Sequence, residues 1–277
     1  MSSTQTELVI EAGRVERHYW QDLWRYRELI YFLAWRDVKV RYKQTVIGII
    51  WVVLRPLLTM AVLTLVFHRI AGLGQGSDIP YALMVFAGLL PWQFFASAFT
   101  ESSGSLVGNA QMISKVYFPR LIVPVSSVLA GLVDFLVMLV LLLPLMVWYG
   151  HWPGWQLVLL PAFLILGLLI TLGSGIGLAA LNVRYRDVRF VIPFAVQFGL
   201  YLSPVGFSAM EVPDAWRWLF DLNPLVGVIE GFRWCLLGAD YPPPGTALIS
   251  SLGVGVVILL YSVRYFRRVE RTFADVI

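Results

Sequence analysis

Three ionisable residues fall within or at the end of long apolar stretches of this 277-residue chain, and any chemistry in a membrane core would start from them. Arg55 precedes Pro56 in the first stretch, Glu101 closes the second, and Asp134 lies about halfway along the third. A charge in hydrocarbon is costly, so such groups pair with one another, line a polar path or couple transport to an ion. Two carboxylates are few for a proton- or sodium-coupled carrier. Asp134 is the best argument for ion coupling, and a hydrogen bond to a neighbouring helix is the plainer alternative. Arg55 either meets an anionic cargo or snorkels toward the membrane surface. Other chemistries are poorly supplied. His18, His68 and His151 are too scattered to hold a metal. Cys235 is the only thiol, which excludes an internal disulfide. There is no glycine-rich lysine loop for a nucleotide and no Ser-His-Asp arrangement. A membrane-embedded sugar transferase would need acids to hold a metal or act as a base, and loops 101–120 and 182–189 offer only Glu101 and Asp187.

The elements that position these groups follow from hydropathy. Hydrophobic residues make up 58% of the chain and charged ones 14%, with a mean hydropathy of +0.74. A water-soluble domain needs a more charged exterior, so the chain is expected to be an all-α membrane protein. A spanning helix takes about 20 apolar residues. Segments 46–68, 80–100, 121–149, 155–181 and 246–265 qualify. Segment 188–209, broken by Pro193 and Pro204, is expected to be a sixth, kinked span. No secretory signal peptide is expected. Of the 21 Lys and Arg residues, 17 fall in 1–45, 101–120, 182–189 and the tail from Arg264. The positive-inside rule then puts both termini in the cytoplasm, and it accounts for the net charge of +4 without any nucleic acid.

The expected organisation is a cytoplasmic N-terminus (1–18), an amphipathic interface helix (19–45), a transmembrane domain (46–265) and a cytoplasmic tail (266–277). In the interface helix, Trp20, Leu23, Trp24, Ile30, Tyr31, Ala34 and Val38 form an apolar stripe, opposite Gln21, Asp22, Arg25, Glu28 and Arg36. Segment 210–236, semi-polar and tryptophan-rich, is expected to form short external re-entrant helices before the last span.

Several segments are more specific. They are Arg36-Asp37-Val38-Lys39-Val40-Arg41-Tyr42-Lys43 with Gly48, Trp51 and Arg55-Pro56-Leu57; Gly88 to Phe95 around Pro91-Trp92; and Asn109 to Arg120, with Ser114-Lys115 and Phe118-Pro119-Arg120. Asn182 to Val188, with Arg184-Tyr185-Arg186-Asp187, follows, and then Ser203-Pro204-Val205 and Asn223-Pro224-Leu225. In this order and spacing, from about residue 20 onward, the chain resembles the membrane subunits of ABC-2 type polysaccharide exporters, the permeases of O-antigen, teichoic acid and capsule export. One departure is Arg55, where the family commonly has an amide before the proline.

The resemblance implies a homodimer of six-span subunits, two separate cytoplasmic ATPase subunits that bind ATP and Mg, and a cargo glycan on a polyprenyl pyrophosphate lipid. This chain itself would hold no cofactor and catalyse no reaction. The resemblance implies a bacterial inner-membrane location. ATPase contact and gating would fall to Asn109, Ser114, Lys115, Phe118, Pro119, Arg120, Arg184, Tyr185, Arg186 and Asp187. Arg36, Lys39, Arg41 and Lys43 are candidates for the lipid pyrophosphate. Flat aromatic surfaces let a sugar slide without tight hydrogen bonds. Phe67, Trp92, Phe94, Phe95, Phe99, Tyr201, Phe207, Trp216 and Trp218, together with Arg55, are therefore candidates for the glycan passage. A drug or small-lipid exporter of the same superfamily is the alternative cargo reading, and an ion-coupled carrier using Asp134 is a further one.

Overall fold

A computed structural model describes residues 19–43, 46–75, 79–185, 187–270 and 273, with backbone only at 46–49. Among the described residues there are helices and turns but no strand. In chain order they are α1 (Tyr19–Arg25), α2 (Arg27–Lys43), α3 (Val46–Leu63), α4 (Tyr81–Gly108), α5 (Ala110–Lys115) and α6 (Ile122–Tyr149). Then follow α7 (Leu160–Arg184), α8 (Val188–Leu202), α9 (Asp214–Asp221), α10 (Pro224–Leu237) and α11 (Gly245–Val269). A π-helical turn, Thr64–Ile70, extends α3.

Five helical segments are long and apolar enough to cross a bilayer: Ile50–Ile70, Tyr81–Gly108, Ile122–Tyr149, Trp155–Arg184 and Gly245–Val269. The sixth expected span is shorter as a helix. α8 has 15 residues, about 22 Å at 1.5 Å per residue, against a hydrocarbon core of about 30 Å. It tolerates Pro193 but stops before Pro204, because proline pushes the preceding residue out of the helical region; Ser203 sits at φ −111°, ψ 146°. The chain continues through Ser203, Pro204, Val205 and Gly206 as buried, non-helical backbone. Such backbone is tolerated at membrane depth only where protein surrounds it.

α4 is the axis of the bundle, packed against α6, α7 and α10 and buried along most of its length. It runs to Gly108, so Glu101 lies inside a helix rather than at its end, and the expected loop 101–120 shrinks to the short helix α5 and its flanks. Small residues bring the helices close, as they do in membranes, where packing replaces the hydrophobic effect. A Cβ on Gly131 would stand 3.1 Å from that of Ala98, and one on Gly173 would stand 2.9 Å from the Leu259 backbone.

The tryptophan-rich segment divides in two. α9 is exposed, with Trp216 and Trp218 outward, whereas α10 is nearly all buried. α10 starts at Asn223-Pro224, where the Asn223 carboxamide oxygen accepts the Leu225 N–H at 3.0 Å and proline takes the first helical position. The Gly227 N–H donates to the Ser251 hydroxyl of α11 at 3.0 Å. The close approach requires glycine, since a Cβ there would lie 2.5 Å from the Ala247 carbonyl oxygen.

Two buried clusters result. The larger fills the middle of the bundle and the end that carries Tyr81, Val205 and Tyr241. The smaller joins Tyr19 and Leu33 to Leu106, Phe118, Val183, Phe266 and Phe273 at the opposite end, where the basic residues gather.

Candidate functional site

At the basic end, α1 and α2 lean along the bundle. Leu23, Tyr26, Ile30 and Leu33 turn inward, and Trp20, Trp24, Tyr31 and Trp35 turn out. The expected apolar stripe therefore splits: Trp20, Trp24 and Tyr31 face away from the protein, whereas Leu23 and Ile30 pack with Tyr26 and Leu33 against the bundle. Tyr19 lies at the start of α6, while Arg41 and Tyr42 meet Asp134, twelve residues or about 18 Å further along that helix.

There the first ionic centre forms. The Arg41 guanidinium pairs with both Glu101 of α4 and Asp134 of α6, and the Tyr42 hydroxyl donates to Asp134. Burial works against the charge on Arg41, but the two carboxylates more than offset it and hold its pKa above the ordinary value. Burial and the hydrogen bond to Asp134 raise the Tyr42 pKa. Asp134 thus has the neighbouring-helix partner that was the plainer expectation. The Arg41 guanidinium is thus engaged within the protein. Arg36 is also engaged, with Asp37 at 2.8 Å and the Asn109 carboxamide oxygen at 3.0 Å. Lys39 and Lys43 stay exposed, and Lys39 lies 5.4 Å from the Trp35 ring centre. A shallow groove of about 320 Å³ runs between Phe32, Trp35, Arg36, Lys39, Val40 and Lys43.

The segment 109–120 is half anchored and half free. Asn109 caps α4 by donating to the Ser105 carbonyl at 2.8 Å. Ser114, Lys115, Val116 and Tyr117 are exposed, whereas Phe118 and Pro119 are buried and Arg120 is partly so. Arg184, Tyr185 and Asp187 are exposed at the end of α7 and the start of α8; Arg186 lies outside the described residues.

The aromatic candidates separate. Trp92, Phe95 and Phe99 form a ladder on one face of α4, with ring centres 5.8 and 5.1 Å apart. Of these rings only Phe95 is partly exposed; Trp92 and Phe99 are buried, as is Phe94, which packs against Phe135 of α6. Phe67 stacks near Phe207 at 5.9 Å, beside the non-helical segment after α8. Tyr201, Trp216 and Trp218 are exposed, and so is Arg55. No side-chain arrangement for a metal exists among the described residues.

Sequence reasoning missed a second ionic centre at the end opposite the basic one. Arg233 of α10 is fully buried. It donates to Glu230 at 3.0 Å and to the carbonyls of Val205 at 2.7 Å, Phe207 at 2.8 Å and Met84 at 3.2 Å. Glu230 also accepts the Tyr241 hydroxyl at 2.6 Å and the Ala209 N–H at 3.2 Å. Tyr81 donates to the Gly206 carbonyl at 2.6 Å. The carbonyls of Val205, Gly206 and Phe207, which no helix uses, thus find donors, and the non-helical segment is fixed. The available signal was the i, i+3 spacing of Glu230 and Arg233 within an apolar run.

Residues 28–237 match the family model of the ABC-2 type transporter. The chain is 29% identical over 258 residues to the O-antigen export system permease protein RfbA of Myxococcus xanthus, covering 92% of this chain and 97% of that one. It is 28% identical over 256 residues to the protein of the same name in Klebsiella pneumoniae, covering 90% and 95%. It is 26% identical over 205 residues to the polysialic acid transport protein KpsM of Escherichia coli, covering 70% and 76%.

Proposed function

Because this chain belongs to the ABC-2 type transporter family, we propose that it is the membrane subunit of an ATP-driven exporter that moves a polyprenyl-pyrophosphate-linked polysaccharide, of O-antigen type, across the bacterial inner membrane. The observation that carries this reading is the likeness, over nearly the full length of both chains, to permeases named for O-antigen export. The chain has no nucleotide-binding loop of its own, so Mg-ATP is assigned to two partner ATPase subunits docked on a homodimer of this chain. α8 and the buried segment after it make the sixth crossing, and the basic end faces the cytoplasm.

Within that frame the exposed strip Ser114–Tyr117, with Arg184, Tyr185 and Asp187, is the surface that receives the ATPase. Lys39 and Lys43 flank the groove on α2 and are the residues left to meet a lipid pyrophosphate, since Arg36 and Arg41 have partners. Phe67, Phe95 and Phe207, the partly exposed rings of the set, are the aromatic surface offered to the glycan, and the buried Trp92 and Phe99 back it. Phe94 belongs to the packed interior. The acids inside the helices are paired with arginine, which supports ATP rather than an ion gradient as the driving force.

Deletion of the gene in its own host, followed by complementation, tests the reading. Loss of long-chain surface glycan with accumulation of lipid-linked glycan inside the cell is expected. Unchanged surface glycan, with altered tolerance to small lipophiles, would transfer the chain to the drug or small-lipid branch.

A further inference from the structure

The last turn of α11 grips the start of α6. Glu270, the residue that closes α11, takes the Arg120 backbone N–H on its carboxylate at 2.9 Å, while the Arg120 guanidinium donates to the Glu270 backbone carbonyl. The two residues therefore cap one another: a carboxylate sits at the start of one helix and a guanidinium at the end of another, each where the helix dipole favours it. The Tyr19 hydroxyl reaches the same carboxylate at 3.5 Å, and the Arg267 guanidinium lies 4.3 Å from the centre of the Tyr19 ring. Phe273, fully buried, packs on Phe266 at 5.4 Å and lies 5.9 Å from the Arg120 guanidinium. Burial pushes the Glu270 pKa up, and the Arg120 N–H opposes that shift.

Three chain segments far apart in sequence, at Tyr19, at Arg120 and at 266–273, thus converge one residue past the buried Phe118-Pro119 pair, which follows the exposed strip 114–117. We propose that Glu270 is a positioning residue for energy coupling: it clasps Arg120 so that a push on the exposed strip moves α6 instead of deforming the segment between them. The inference rests on the reading of strip 114–117 as the surface that receives the ATPase. A slack segment would let the ATPase turn over without moving the helices.

The test uses the permease with its cognate ATPase, reconstituted in lipid vesicles, with ATP hydrolysis and glycan export measured in the same sample. Glu270→Ala is expected to assemble and hydrolyse ATP while glycan exported per ATP falls by about fivefold or more. Glu270→Gln, whose amide oxygen still accepts the Arg120 N–H, is expected to restore most of that ratio. An unchanged ratio in Glu270→Ala, or a Gln variant as uncoupled as the Ala variant, would overturn the clasp. Where Glu270→Ala fails to assemble, Arg120→Gln decides, because it keeps the backbone contact and removes only the guanidinium: a lowered ratio supports the clasp and an unchanged one overturns it. A Lys115→Ala/Tyr117→Ala pair separates the two ideas. If it leaves ATPase binding and coupling intact, the docking reading fails on its own; if it uncouples while Glu270→Ala does not, only the clasp fails.

Discussion

Arg233 and Arg41 each neutralise carboxylate within the bundle, but under opposite conditions. Arg233 is fully buried, and its partners Glu230 and Tyr241 lie within eight residues of it; its remaining donors all go to backbone carbonyls. Arg41 is about a quarter exposed and joins three helices, its two carboxylates lying some 60 and 93 positions away along the chain. One centre is dry and complete, and it fastens the non-helical backbone after α8 in place. The other joins α2 to α4 and α6 and stays partly exposed.

The largest expected effect comes from breaking the dry centre. Arg233→Ala leaves Glu230 buried without its cation and strands the carbonyls of Val205 and Phe207. A loss of about 3–5 kcal/mol is expected, read as failure to accumulate in the membrane or a collapsed thermal transition in detergent. Gly88→Ala acts on the same centre by steric means, since its Cβ would stand 2.7 Å from the guanidinium. Overpacking of about 1–3 kcal/mol is expected, and wild-type stability at this position would show that the Arg233 side chain can move aside.

The Arg41 junction is expected to yield less stability and more function. Arg41→Ala removes the shared cation from Glu101 and Asp134. It is expected to cost about 1–2 kcal/mol in a thermal shift and to depress export more than its stability loss explains. Asp134→Asn keeps a hydrogen-bond acceptor for Tyr42 and is expected to be milder, at about 1 kcal/mol or less, with export still driven by ATP. An export that becomes independent of a proton or sodium gradient only in the Asn variant would revive the ion-coupled carrier. Smallest of all, Lys39→Gln with Lys43→Gln should leave stability within about 0.5 kcal/mol and weaken only the retention of anionic lipid, measured on purified protein.

The same contrast explains what was legible in the sequence. Spans announce themselves by composition, and five of them are visible as unbroken apolar runs. The end of α8 is written in Ser203-Pro204. α10 was harder, because Glu230, Arg233 and Trp234 look like part of a semi-polar segment until the two charges are seen to cancel one turn apart. The partners of Arg41 were not legible, because the pairing depends on how α2 leans along α6, and no local pattern specifies that. Basic residues near a membrane surface look alike in sequence, yet Arg36 and Arg41 are engaged with protein groups whereas Lys39 and Lys43 remain exposed. Glu270 was hidden for the same reason: its partner Arg120 lies 150 residues away.

The most direct test of the central claim is ATP-dependent translocation by the purified permease and its cognate ATPase in proteoliposomes loaded with polyprenyl-linked glycan on one leaflet. The account predicts that glycan reaches the opposite leaflet only when both subunits and Mg-ATP are present, and that hydrolysis changes when the glycan is added. Translocation without the ATPase, or hydrolysis indifferent to glycan but stimulated by small lipophiles, would contradict it.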